Sequence, residues 1–264
     1  MLNKSTRYFY SGFTFLFILL IFSCNDSSVN FTGGRTYTPS NLGPIDSLYL
    51  AHRFDSLPSQ SIGTVGNGKL INGRLLPYSG DNFFYFDSTS YMNKRAFVHE
   101  KVLTVILGTY KKLENSAPKH QFGIMECSNE KGGKIDPHHT HQNGLSIDFM
   151  SPLLNENGHS QTYDFLGGVH YMLEFNEKGV LKTDQTHQID FNKIALHLLE
   201  LNEQAKKNGL KIQKVIFKLE LLDELYATPN GKKLKASGIY FAKKLPTLIN
   251  SLHDDHYHVD FSLS

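Results

Sequence analysis

Cysteine is almost missing from this chain: only Cys24 and Cys127 occur in 264 residues. Two thiols allow at most one bridge, and if Cys24 is used otherwise there is no internal disulfide at all. Stability has to come from a core and from any bound metal. An excess of either charge is missing too. Lysine plus arginine number 27 against 25 acidic residues, and without residues 1–23, which hold Lys4 and Arg7 and no acid, the two balance at 25 each. Nucleic-acid binders present a basic face or a basic excess; with neither the balance nor a Lys/Arg run to support it, that class is set aside. A membrane-spanning run is also lacking. The apolar stretch FTFLFILLIF, Phe13 to Phe22, is about half of the ~20 residues that a helix needs to cross a bilayer.

What is present begins with that stretch. A basic start, a short apolar centre and Ser23 before Cys24 describe a secretory signal over residues 1–23, which places the mature chain outside the cytoplasm. The letters IFSC resemble a bacterial lipoprotein signal, which implies a lipid on Cys24 and a periplasmic or cell-envelope location, anchored to the membrane. Residues 24–59, rich in Ser, Asn, Gly and Pro, read as a polar tether. A flexible chain of that length reaches ~30 Å. From residue 60 onward the 40% hydrophobic and 12% aromatic content supports one globular domain running to residue 264.

Within that domain the pattern alternates between periods. GTVGNGKLINGRLLPYSG fits short strands and turns. Asn93 to Leu113 carries Phe97, Val98, Val102, Ile106, Tyr110 and Leu113 at spacings of three and four, which predicts an amphipathic helix. FGIMEC (122–127) and LSIDFM (145–150) read as strands. Asp190 is placed to cap a helix through Lys207, KVIF (214–217) reads as a strand, and HYHVDFSL (256–263) has the alternation of a final strand. The fold class expected is α+β, with a small antiparallel sheet carrying the site and helices packed against it.

Six of the thirteen histidines fall in two clusters: His138, His139 and His141, and His253, His256 and His258. Imidazole and carboxylate are borderline donors suited to zinc (Zn2+), and a catalytic zinc keeps three protein ligands and one open position. His141, Asp148 and His258 make such a set. Residues 256 and 258 leave the same face of a strand, so one can bind metal while the other handles protons. The turn-prone QNG after His141 lets the chain re-enter a strand that presents Asp148, and a carboxylate set between Ile147 and Phe149 calls for a cation.

The stretch HHTHQNGLSID is similar to the H-x-x-H-Q-x-G-x-x-x-D signature of penicillin-insensitive murein endopeptidases, and HDDHYHV (253–259) resembles their H-D-D-H-F-H-V ending. These belong with the lysostaphin-like, D-alanyl-D-alanine and hedgehog-type zinc proteins. The resemblance, over residues 60–262, implies a zinc peptidase domain acting on peptidoglycan stem peptides, with His141, Asp148 and His258 as ligands and His256 as general base. It places His138 and His253 in the catalytic lining. Departures from the pattern are Ser146 where an acid is common, Asp260 where a base is common, Glu126 for aspartate, and no tryptophan before His253. Two further readings stay open: a D-alanyl-D-alanine carboxypeptidase or dipeptidase of the same group, and a non-catalytic, zinc-stabilised peptidoglycan-binding module. His139 reads as a bystander. His99, His120, His159, His170, His187 and His197 read as structural or surface residues, and Cys127 as a buried small hydrophobe.

Overall fold

Two strands far apart in sequence, Ser146–Met150 and His256–Leu263, build the centre of the molecule. Successive side chains on a strand leave opposite faces, and here the two faces differ sharply. Ile147 and Phe149 share one face with Tyr257, Val259 and Phe261, all buried in the core. Ser146 and Asp148 share the other with His256, His258 and Asp260. The antiparallel register sets Asp148 opposite His258 and Ser146 opposite Asp260. A computed structural model describes residues 42–53 and 56–264. The signal and lipid-anchor readings at residues 1–24 lie outside the described residues, as does the tether reading from 25 to 41.

The sheet has five strands in the order Leu210–Ile216, His256–Leu263, Ser146–Met150, Phe122–Ile124, Phe83–Tyr85. The first three joins are antiparallel, in line with the expected α+β arrangement, and the last is parallel. The parallel join follows from the connection. Between Phe83–Tyr85 and Phe122–Ile124 the chain runs back along the helix Glu100–Ser116, and a helical crossover returns the next strand in the same direction.

That helix starts later than its spacing predicts. Phe97 and Val98 pair instead with Arg74–Leu75 as a short strand, and the His99 side chain caps the helix by accepting from the Lys101 amide at 3.1 Å. The helix Phe191–Lys207 is capped as expected, Asp190 Oδ1 accepting from the Lys193 amide at 2.9 Å. Both helices cover the apolar face of the sheet. His197 of the second packs edge-on against Phe149 at 4.7 Å between centroids, and Tyr110 of the first lies 5.7 Å from Phe122. Before the domain proper, Pro44–His52 is a helix with Ile45, Leu48 and Tyr49 against the core, so this part of the expected tether is docked. Its apolar spacing is what the polar composition around it obscures.

Candidate metal centre and its cleft

The polar face of the sheet forms the floor of a cleft of about 640 Å3, walled by Phe86, Arg95, Glu126, Tyr171, Leu252 and His253. Asp148 stands at its centre. The strand fixes its backbone on both sides: the Asp148 amide donates to the Glu126 carbonyl at 3.0 Å and its carbonyl accepts from the Met125 amide at 2.8 Å. The histidine loop reaches it by a tight path. Gly144, at φ +78°, brings the chain so near the helix cap that a Cβ there would stand 2.8 Å from the His99 backbone nitrogen. His141 itself has φ +67°, a left-handed conformation that costs a side-chain-bearing residue about 1 kcal/mol. Neighbouring bonds hold it there: the Gln142 amide donates to the Val65 carbonyl at 3.0 Å and the Gln142 carbonyl accepts from the Gly133 amide at 2.9 Å. Backbone held in this way is common where a side chain must be aimed.

Around Asp148 Oδ2 stand His141 Nε2 at 3.3 Å, His138 Nδ1 at 3.6 Å, the Tyr171 hydroxyl at 3.4 Å and His256 Nε2 at 4.0 Å. One ligand atom from each of His138, His141 and Asp148 lies within 4.8 Å of the others, and this group could hold a metal ion. The donor set fits that role: His141 Nδ1 is buried with no hydrogen-bond partner, and two imidazoles facing one carboxylate oxygen are a borderline-soft set. Burial alone would discourage ionisation of Asp148, yet the His141 and His258 rings hold its carboxyl well below the usual carboxylate range. The Asp148 carboxyl is therefore held ionised.

His258, the third ligand expected from the sequence, approaches the other oxygen. Its Nδ1 faces Asp148 Oδ1 at 2.7 Å and its Nε2 donates to Asp260 Oδ1 at 2.7 Å. Burial works against its charge, but Asp260 and Asp148 together push its pKa up. With Nε2–H committed to Asp260, Nδ1 is the nitrogen turned to the candidate centre. The group that could hold a metal ion thus includes His138, to which the sequence reading gave a lining role, while His258 stands on the other oxygen of Asp148.

His256 is oriented from behind. Asp255 Oδ1 accepts from Nδ1, which leaves Nε2 facing the cleft. Burial lowers the pKa of this imidazole, and the Asp255 and Asp148 carboxylates together more than offset it, so the pKa is raised. His253 differs: its Nδ1 lies 2.6 Å from the Ile249 carbonyl, which can only accept, so Nδ1 carries the hydrogen and Nε2 a lone pair. Burial drives the His253 pKa down to about 3 and that of His138 to about 4, keeping both neutral. His139 is exposed on the cleft rim, and Cys127 is fully buried with its thiol pushed well above its ordinary pKa.

Several residues at the centre were not legible in the sequence. Tyr171, in the short 3-10 turn Gly167–Met172, packs edge-on against His256 at 5.0 Å, and no local pattern marks it. The two aspartates of HDDH look alike in sequence and diverge in space. Asp254 anchors a loop through the Phe175 amide and Lys218, while Asp255 holds His256. Glu126 and Arg95 form a wall beside the centre, with burial pushing the Glu126 pKa up to about 7 against the pull of Arg95 and Ser90. No protein-family model matches the chain, and no curated protein matches it either.

Proposed function

We propose that the chain is a zinc-dependent endopeptidase that hydrolyses peptide cross-links of bacterial peptidoglycan. The observation that carries this reading is the convergence, on the floor of one cleft, of two neutral or neutralisable imidazoles and a buried carboxylate with an independently oriented histidine, His256, beside them. His141, Asp148 and His258 are the ligands in this reading, with His138 near enough to share or replace one of them. Zinc held there supplies Lewis acidity toward a peptide carbonyl and lowers the pKa of water toward ~7.

The protein's own groups account for the proton traffic. His256 Nε2 takes a proton from the attacking water, and Asp255 on Nδ1 fixes the tautomer and stabilises the resulting imidazolium. The His256 imidazolium then returns that proton to the leaving amine, and His253, whose Nε2 carries a lone pair, can accept a hydrogen bond beside it. Tyr171 donates to Asp148 Oδ2 and closes one side of the site against solvent. The signal-like start and Cys24 support an exported, lipid-anchored protein of the periplasm or cell envelope, the compartment in which this substrate is found.

Incubating purified cell-wall digests with zinc-loaded full-length chain, with and without chelator, tests the reading by mass spectrometry. The expected result is chelator-sensitive conversion of cross-linked dimers to monomers. Trimming of terminal D-alanine instead identifies the carboxypeptidase, and stoichiometric zinc with no turnover leaves the binding module. His256→Ala should lower kcat by ~10²- to 10⁴-fold while zinc content and fold persist.

A further inference from the structure

We propose that Arg95, steadied by Glu126, binds a free carboxylate of the substrate in the cleft beside the metal centre. The inference rests on the peptidase reading for the word substrate, and on the geometry of the wall for the rest. Among the described residues that line the cleft, Arg95 is the only lysine or arginine. His141, His256 and His258 there are engaged with aspartates, and Asp87 is spent on the Ser90 and Gly168 amides. The guanidinium is thus the one permanent cation facing the space where a ligand would lie.

Its engagement with the protein is slight. Arg95 NH1 stands 3.5 Å from Glu126 Oε1, and this is the one ion pair it makes among the described residues. Charge-assisted bonds of a guanidinium to a carboxylate are ordinarily ~2.7 to 2.9 Å and often bidentate. Glu126 takes its shorter bond from the Ser90 hydroxyl at 3.0 Å, and its Oε2 is buried with no partner. Glu126, only 4% exposed, stands beside the guanidinium as a long-range acceptor and does not saturate it. Most of the five N–H donors stay available in a rigid fork matched to a carboxylate.

The backbone of Arg95 does the structural work separately. Its carbonyl accepts from the Cys127 amide at 3.0 Å and the Tyr85 hydroxyl at 3.2 Å, and its amide donates to Ser90. The side chain can therefore be changed without unpinning the segment. Thr89 and Asn93 line the same end of the cleft and add polar groups around the fork. A peptide bearing a free α-carboxylate next to the cleaved amide is the chemical class that this arrangement selects.

The test is a pair of short D-alanyl peptides identical except for a carboxylate or a carboxamide on the residue after the cleaved bond. Calorimetric binding to the zinc-loaded full chain carrying His256→Ala, which prevents turnover, should show the acid bound ~10- to 100-fold more tightly than the amide. Adding Arg95→Gln should erase that preference, and Arg95→Lys should restore part of it. Equal binding of acid and amide when Arg95 is present overturns the proposal. So does an Arg95→Gln variant that weakens both peptides alike. Cleavage by the unmodified chain is scored apart: an acid preference without any cleavage keeps the subsite and removes the peptidase reading, and cleavage without a preference does the reverse.

Discussion

The two faces of the central strand pair are made by alternate residues of the same ten or so positions, yet they are built on opposite rules. On the apolar face Phe149 and Tyr257 stack at 5.6 Å and the His197 ring packs edge-on against Phe149 at 4.7 Å, so that contact here is by ring on ring. On the polar face Asp148, His256, His258 and Asp260 are equally buried, but matched by charge and hydrogen bonds. Side-chain shape gives the first face its stability. The second face keeps buried charges that cost free energy unless something compensates them, and His258 and Lys214 do so for Asp148 and Asp260.

Four changes break or sharpen that contrast. Phe149→Ala should destabilise the fold by about 3–5 kcal/mol, read from denaturant midpoints, because it opens a cavity under the strands that the helix cannot close; zinc binding by the folded fraction should survive. On the opposite face Asp148→Asn keeps the shape and removes the charge. It should weaken zinc binding by at least ~100-fold in chelator competition, since even residues that only support a ligand cost ~10- to 100-fold, while metal-free stability falls by less than in Phe149→Ala.

The third change concerns pH. Burial holds His197 neutral, with its pKa lowered to about 3. The unfolded chain takes up this proton near its ordinary value of ~6.5 and the folded chain does not until about 3, so acid favours unfolding. His197 should contribute a loss of up to about 1.4 kcal/mol per pH unit as pH falls through that window. His197→Phe should flatten the stability profile there, and an unchanged slope would show that the ring accepts a proton in place. Smallest is Tyr257→Phe, which removes one buried bond, at 2.8 Å, to His197 Nδ1. About 1 kcal/mol should be lost, with activity intact although the residue lies between His256 and His258.

Two departures from the endopeptidase pattern look independent in the sequence, more than a hundred positions apart. In the fold they are one contact. Ser146 and Asp260 face each other across the strands, the Ser146 hydroxyl donating to Asp260 Oδ1 at 2.7 Å, and the same oxygen accepts from His258 Nε2. Lys214 pairs with the other oxygen at 3.0 Å. The acid missing at 146 reappears at 260, and there it supplies His258 with the partner that turns its Nδ1 toward the centre.

The sequence by itself determined what depends on neighbours along the chain. Alternation in HYHVDFSL and SIDFM identifies two strands with a polar and an apolar edge, spacing identifies the capped helix from Phe191 to Lys207, and clustered histidines with Asp148 mark a group that could hold a metal ion. Only the tertiary structure decided what depends on register and crossover. The parallel join at the sheet edge, the docking of Pro44–His52, the capture of Asp254 by Phe175 and Lys218, and the arrival of Tyr171 and Arg95 at the cleft are contacts between segments tens of residues apart. Periodicity reports which face a side chain leaves; it carries no information about which distant segment that face will meet.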